Sequence, residues 1–466
     1  MTTIHRLAGI DTAFLRMEIS AQPLHSCSLA ELDVSALPGG YSFETFRAKL
    51  GAHALLLPEF RAKLIDTRMN LGTPAWVDDP DFDIDRHVHR VQLAAPGGHL
   101  ELCEVAGRLV AEPMDRSRPL WDITIIERMS GADPDVTGRI AAIVRTHHVF
   151  ADGVTSGDLW AKLYDEAPPA EQPGWFGQWT ARQIAIQGLW QAARRPWFFL
   201  GSVLPRTVSA LLKTFRRMKF GQTMSSLTVA PRTIFNGDID PTREVAYVRV
   251  ELRDIEAAKR KFGVKANDVL TAIVSGALRR YLAAHSGLPD KDLIAAIPVS
   301  HYDPNRPARN QLTPMFCSIH TGEADPVERV AAIAKTNSNG KEHISDVGST
   351  LLEDWTQLMP TLFRNLLTIF AKSGVGKRQP PVNLTLSNVR GFQEHILGAP
   401  IIVNYPFGPI VNQIGLNITA STLNDAVGIG FVGCPTLIPD IRKLAEAVPQ
   451  ALDELLNAQG AEPAGV

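Results

Sequence analysis

Residues 143–154 read IVRTHHVFADGV, a β-branched run that enters two adjacent histidines and then reaches an aspartate and a glycine. Histidine has the side-chain pKa nearest neutrality, so it is the commonest proton handler in active sites. Upstream, LWDITIIERM (120–129) and GRIAAIVRTHH (138–148) have the length and β-branched content of strands. The turn-rich ADPDVTG (132–138) between them predicts neighbouring strands of one sheet. After Gly153, TSGDLWAKLYDE offers Thr155 or Ser156 as an N-cap and continues in a helical pattern. The paired histidines therefore fall where a strand ends and a helix begins. Side chains alternate across a strand, so His147 and His148 do not both face one reacting atom. One of them is the catalytic candidate and the other is structural.

The same alternation of strand and helix continues on both sides. FETFRAKLGAHALLL (43–57) reads as a helix, and LELCEVAGRLVAEPMD (100–115) places Leu102, Val105, Ala106 and Leu109 on one helical face. The proline-rich DEAPPAEQPGWFGQW (165–179) ends a first domain at about residue 170. From 241 a second pattern runs through EVAYVRVEL, the helix NDVLTAIVSGALRRYLAAH, and the strands DLIAAIPVS and LTPMFCSIHTG. Two helices follow, over PVERVAAIAKTN and WTQLMPTLFRNLLTIFA. The strands VNLTLSNV, PIIVNYPF, QIGLNITAST and AVGIGFVG precede a closing helix, DIRKLAEAVPQALDELLN. The expected fold is α/β, with domains at 1–170 and 241–466 facing each other across a cleft. A chain of 466 residues exceeds what one hydrophobic core usually supports.

Between them, residues 171–240 form a basic, tryptophan-rich connection with helical portions. No acidic residue occurs between Glu171 and Asp238, whereas nine Lys or Arg and four of the eight tryptophans do. Trp and Arg together suit a lipid interface, so peripheral contact with a membrane or lipid droplet is expected, set against a helix pair packed on the protein.

Composition excludes several classes. A formal net charge of -2 gives no global attraction to nucleic acid. Cys27, Cys103, Cys317 and Cys434 lie far apart without metal or redox spacing, and read as free thiols of a reducing compartment. The opening MTTIHRLAGIDTAFLRME lacks a secretory pattern, and no apolar run is long enough to span a bilayer. The expectation is a cytoplasmic protein, peripherally associated with the inner membrane face or lipid droplets. The segment SGVGKRQ (373–379) lacks the spacing and preceding strand of a phosphate loop, although Lys377 and Arg378 could meet an anionic headgroup.

Three readings of the histidine motif stay open on the residues alone. The histidines could be satisfied core groups beside a turn, or ligands of a metal, though no further ligand falls at a recognisable spacing. His147 and Asp152 also form the HxxxxD pattern used by glycerol-phosphate acyltransferases, which leaves His148 and Gly153 unaccounted for.

HHVFADG (147–153) resembles the HHxxxDG motif of CoA-dependent acyltransferases and peptide-synthetase condensation domains. Further stretches are similar to the bacterial, mycobacterial-type wax ester synthase/diacylglycerol acyltransferase (WS/DGAT) family. They are LAGIDTAFLRME (7–18), PAWVDDPDFDIDRHVHRV (74–91), RPLWDITIIE (118–127) and VKANDVLTAIVSGALRRYL (264–282). The similarity runs from about residue 5 to about residue 455. One departure stands out: the family's NVPGP appears as SNVRGF (387–392), with Arg390 and Phe392 replacing prolines, which frees φ and restores two N–H donors.

The resemblance implies two chloramphenicol-acetyltransferase-like sandwich domains and an acyl-CoA-dependent O-acyltransferase making triacylglycerol from diacylglycerol. The alternatives are a wax ester synthase using long-chain alcohols and a catalytically silent lipid-surface protein. It assigns His148 as general base, with His147, Asp152 and Gly153 as motif members that shape the turn. Asn267, Asp268, Asn388 and Trp121 are the substrate-binding candidates, no metal is implied, and acyl-CoA is a co-substrate rather than a bound cofactor.

Overall fold

The computed structural model describes residues 4–35, 37–66, 72–127, 139–150, 157–170, 176–226, 229–301, 310–348, 350–358, 379–391 and 393–459. Asp152, Gly153, Lys377, Arg378 and Phe392 lie outside them, as do the ADPDVTG turn, Thr155, Ser156 and Trp175. So does most of the expected helix after residue 358.

The strands are β1 (His25–Asp33), β2 (Ala62–Ile65), β3 (Ala75–Asp78), β4 (Val88–Gln92), β5 (Trp121–Glu127), β6 (Arg139–His147) and β7 (Glu244–Glu251). They continue with β8 (Ile294–Ser300), β9 (Leu312–Ser318), β10 (Leu384–Arg390), β11 (His395–Ile396), β12 (Ala399–Phe407), β13 (Leu416–Leu423) and β14 (Ala426–Gly433). The first-half helices are α1 (Gly9–Met17), α2 (Phe43–Leu56), α3 (Pro58–Arg61), α4 (His99–Ala111) and α5 (Gly157–Tyr164). α6 (Ala181–Phe198) and α7 (Leu204–Met218) form the connection. Then come α8 (Leu252–Phe262), α9 (Ala266–His285), α10 (Pro326–Val347), α11 (Leu351–Leu358) and α12 (Ile441–Asn457).

Two six-stranded mixed sheets carry the fold, in the orders β11-β12-β1-β6-β5-β4 and β7-β14-β13-β10-β8-β9. β5 and β6 are neighbours in one sheet, as expected, and pair antiparallel; β6 also pairs with β1, setting His25 opposite His147. The strand PIIVNYPF of the second half crosses over: β12 pairs with β1 from Cys27↔Phe407 onward and extends the first sheet. An apolar strand satisfies its backbone on whichever sheet presents an open edge, which strand pattern alone does not reveal.

The two sheets meet where β12 crosses β14. A Cβ added at Gly428 would sit 2.2 Å from Asn404 O, and one at Gly430 would sit 2.1 Å from Pro406 O. Only glycine allows the two backbones to approach so closely. α4 packs into the same junction, with Leu102, Ala106 and Val110 sharing a core with Leu29, Ile143, Tyr405 and Val432. Its buried face is turned relative to the expected one: Cys103 and Val110 are buried, while Val105 and Leu109 are half-buried. The second sheet is covered by α9 and α12, and α9 is buried continuously from Asp268 to Leu278.

Candidate active site

β6 delivers the histidine motif at the junction between the sheets. His147, its last residue, is fully buried. Its Nδ1 accepts a hydrogen bond from the Val149 N–H (3.1 Å), so its Nε2 carries the proton donated to Glu18 Oε2 (3.1 Å). Glu18 follows α1 and also receives Arg116, with Nε at 3.0 Å. This pair ties α1 to the end of β6. Both ring nitrogens of His147 are thus engaged inside the fold.

His148 is the first residue past the strand, and its N–H donates to Leu24 O (3.0 Å). Its Nε2 lies 3.1 Å from the Ser26 hydroxyl on β1, and its ring stacks on Phe14 of α1 at 5.0 Å between centroids and 12° between planes. Asn310 holds its backbone carbonyl through Nδ2 (2.5 Å), which also donates to the buried Asp11 of α1 (2.7 Å). α1 and the residue that ends it thus present Asp11, Phe14 and Glu18 to the motif within eight residues of sequence.

Asn310 lies two residues before β9, which pairs with β8 so that Leu312 lies opposite Ser300. β10 runs parallel to β8, with Leu384 opposite Ala295 and Thr385 opposite Ala296, and Asn388 lies further toward the C-terminal end of β10. His148, through Asn310, and Asn388 therefore meet the same end of the second sheet. There Asn388 Nδ2 donates to Asn267 Oδ1 (2.5 Å), joining two of the expected substrate-binding residues. Both are exposed. Behind them lies a cavity of about 40 Å³, with Leu270, Val274, Ile297, Met315 and Ile418 on its apolar wall.

Asp268 and Trp121 do not stand with this pair. Asp268 is buried; its Oδ2 accepts the Lys265 N–H (3.0 Å) and its Oδ1 accepts Asn337 Nδ2 (2.8 Å). It caps α9 from the third helical position, with Lys265 as the N-cap. Trp121 is 1% exposed, donates Nε1–H to Phe60 O (2.8 Å) and stacks on His87 at 4.6 Å. It is a core residue: a large ring at the start of β5, packed against Phe60 of α3 and Trp160 of α5. In SNVRGF the ladder continues through Arg390, opposite Thr422, and Gly391 N–H donates to Thr422 O (3.0 Å).

Two buried groups near the motif have displaced pKa values. Burial alone would raise Glu18, but the hydrogen bonds and charges of His147 and Arg116 prevail and hold it at about 2. Burial, reinforced by Arg145 and His147, pushes His25 down to about 3. Both folded values lie below the unfolded ones, so each group stabilises the fold at higher pH and loses that contribution as pH falls. The unfolded chain takes up a proton at His25 below about 6.5 and at Glu18 below about 4.5. Thermal stability is expected to hold above pH 7 and decline below 6.5, with a slope of about 1.4 kcal/mol per pH unit per proton. It steepens below 4.5. Calorimetry from pH 8 to 3 checks this, and an unchanged Tm between pH 7 and 5 would contradict the assignment for His25.

Comparison with known proteins decides the family. Residues 7–270 match the wax ester synthase/diacylglycerol acyltransferase catalytic domain, and residues 309–456 match the WS/DGAT C-terminal domain. The chain belongs to the WS/DGAT family. A Mycobacterium tuberculosis protein provisionally named as a diacylglycerol O-acyltransferase is 42% identical over 469 residues, covering 99% of this chain and 92% of its own. A second protein of that organism with the same provisional name is 31% identical over 480 residues, covering 97% and 100%.

Among solved structures, the wax ester synthase/diacylglycerol acyltransferase of Marinobacter aquaeolei VT8 superimposes with a TM-score of 0.69 at 25% identity, covering 98% and 100% of the two chains. The first condensation domain of the calcium-dependent antibiotic synthetase gives 0.59 at 15%, covering 99% and 98%. The fold is thus the one shared by WS/DGAT proteins and condensation domains. Of the residues that surround His147 and His148, Asp11, Phe14 and Glu18 sit inside the stretch LAGIDTAFLRME that carries the family resemblance. Ser26 and Asn310 had no such signal.

Proposed function

We propose that this WS/DGAT protein transfers a long-chain acyl group from acyl-CoA to the free hydroxyl of diacylglycerol, forming triacylglycerol at a membrane or lipid-droplet surface reached from the cytoplasm. The observation that carries the reading is His148 Nε2 held 3.1 Å from a hydroxyl oxygen, by a ring fixed on one face by Phe14. An acceptor hydroxyl occupying the place of the Ser26 hydroxyl gives its proton to Nε2 while its oxygen attacks the thioester carbonyl. A tetrahedral oxyanion forms, the C–S bond breaks, and the proton on His148 passes to the departing CoA sulfur. Transfer is direct and needs no acyl-enzyme. Asn267 and Asn388 carry amide N–H groups suited to an acyl carbonyl or its oxyanion. Asp152 and Gly153 are assigned to shaping the motif turn, and the apolar wall behind Asn267 to the acyl chain.

A second acceptor class, long-chain alcohols, is supported by the Marinobacter aquaeolei relative, whose name carries both activities. Purified protein given palmitoyl-CoA with diacylglycerol and hexadecanol in parallel is expected to form more triacylglycerol than wax ester. Wax ester in excess would move the assignment to alcohols. No ester from either acceptor, with no acceptor-dependent thiol release, would remove the enzymatic reading.

A further inference from the structure

The basic connection is built the reverse way round from a helix of a soluble protein. α6, a π-helical turn at Phe199–Val203 and α7 follow one another without a gap in the chain, with Pro196 before the turn and Pro205 just after it. Such prolines and π turns are where long helices bend. A surface helix normally turns its apolar stripe to the core and its polar face to water.

α7 does the opposite. Arg206 bonds to Asp354 and Thr350 of the α11 region, and Arg217 Nε donates to Asp346 Oδ2 of α10 (2.5 Å). Lys213 Nζ donates to Asp346 O (2.8 Å), and Thr214 Oγ1 lies 3.1 Å from His343 Nε2. The polar face is thus the attached face. Leu204, Val208, Leu211, Leu212, Phe215 and Met218 recur at helical spacing on the other side, all exposed; Leu212 is 66% and Phe215 61% accessible. α6 continues the stripe with Ile186, Leu189, Trp190 and Trp197, the two tryptophans at 74% and 77%.

Charge identifies the occupant. From residue 172 to 237 there is no Asp or Glu, and Arg182, Arg194, Arg216 and Lys219 are exposed along these helices. A second copy placed on the stripe would set these cations against themselves. An anionic lipid surface accepts both features: the stripe enters the acyl boundary, the tryptophans sit at headgroup depth and the cations meet phosphates. Among the described residues no helix is long and apolar enough to cross a membrane, so the segment lies on the surface rather than through it. We propose that α6 and α7 together form an in-plane docking surface for anionic membranes, held on the body of the protein by the ion pairs of Arg206 and Arg217. This deepens the lipid-surface part of the reading above and rests on the inverted helix rather than on any acceptor.

The test is flotation of the full chain with phosphatidylcholine vesicles, with and without phosphatidylglycerol. Wild type is expected to float with the phosphatidylglycerol vesicles. Trp197→Glu/Leu212→Glu/Phe215→Glu is expected to lose at least about tenfold in partition to them. Arg194→Gln/Arg216→Gln/Lys219→Gln is expected to lose about 100-fold and its salt sensitivity. Both variants should keep the wild-type Tm and the wild-type rate of thiol release with a short, water-soluble alcohol. Loss of that soluble activity in wild type overturns the catalytic reading and leaves docking intact, so the two failures are separable. Docking is overturned by wild type that floats with neither vesicle, or by a stripe variant that floats like wild type. It is overturned also if the stripe variants melt several degrees lower, which would mean that the chain itself covers the stripe, or if they dissociate a wild-type dimer in sedimentation.

Discussion

His148→Ala is expected to lower kcat for ester formation by about 10²–10⁴-fold, the usual contribution of a positioned general base, while Tm stays close to wild type. The expectation follows from how His148 is held. Its main-chain N–H bonds to Leu24 O and its carbonyl to Asn310, and alanine retains both. What alanine removes is the ring, hence the Nε2 lone pair facing Ser26 and the stack on Phe14. Nucleophilic assistance is lost and the strand end remains. Ser26→Ala is the control for mechanism, because a serine 3.1 Å from an imidazole also has the geometry of a serine–histidine dyad. Direct transfer predicts that Ser26→Ala keeps activity within about tenfold and that no acyl-protein accumulates. Acyl-CoA and acceptor kinetics, with mass spectrometry of protein quenched during turnover, read both. Abolition of activity by Ser26→Ala together with a trapped Ser26 ester would replace direct transfer by two successive displacements; a His148→Ala enzyme as fast as wild type would remove His148 from the chemistry.

Much of this arrangement can be read in the sequence, because periodicity and local chemistry are local. β5 and β6 announce themselves by β-branched content and length, and the position of His147 and His148 at a strand end follows from them. Strand alternation predicts that the two histidines differ in surroundings, and His147 is fully buried whereas His148 is partly exposed. What escapes is whatever tertiary pairing decides. β12 reads as one more strand of the second half, yet its partner is β1, 376 residues away at the Ser28–Asn404 contact. Asn310 is a single amide in a polar stretch, and only the fold brings it to Asp11 and His148. Trp121 enters as a substrate-binding candidate through the family resemblance of its segment, which does not say where its ring packs; its indole N–H is bonded inside the core. The basic connection is legible in composition, whereas the exposure of its apolar face requires knowing which side the ion pairs hold down.

Glu18→Ala is expected to be the most damaging single change to stability among the residues around the motif. Glu18 accepts Nε2–H of the fully buried His147 and pairs with Arg116, so truncation leaves a buried imidazole N–H and a guanidinium without their acceptor. Removing one partner of a buried pair costs about 3–5 kcal/mol, against near zero to 1 kcal/mol for an exposed one. The two pairs differ in this respect: His147 is inaccessible, while Arg116 is 44% exposed and re-solvates. The cost therefore comes mainly from His147, and Glu18→Gln, whose amide oxygen still accepts from Nε2, should recover most of it. Sign and pH confirm the assignment. With the folded carboxyl at about 2, Glu18→Gln should flatten the stability loss between pH 4.5 and 2 that wild type shows, and leave the loss beginning near pH 6.5 to His25. Activity supplies the last discrimination. Because α1 also carries Phe14, a loosened Glu18 lets the surface behind the His148 ring move, so Glu18→Ala should lower kcat more than it raises KM. Glu18→Gln should restore kcat toward wild type. Equal stability of the alanine and glutamine variants would mean that the charge on Arg116, rather than the proton held by His147, is what Glu18 secures.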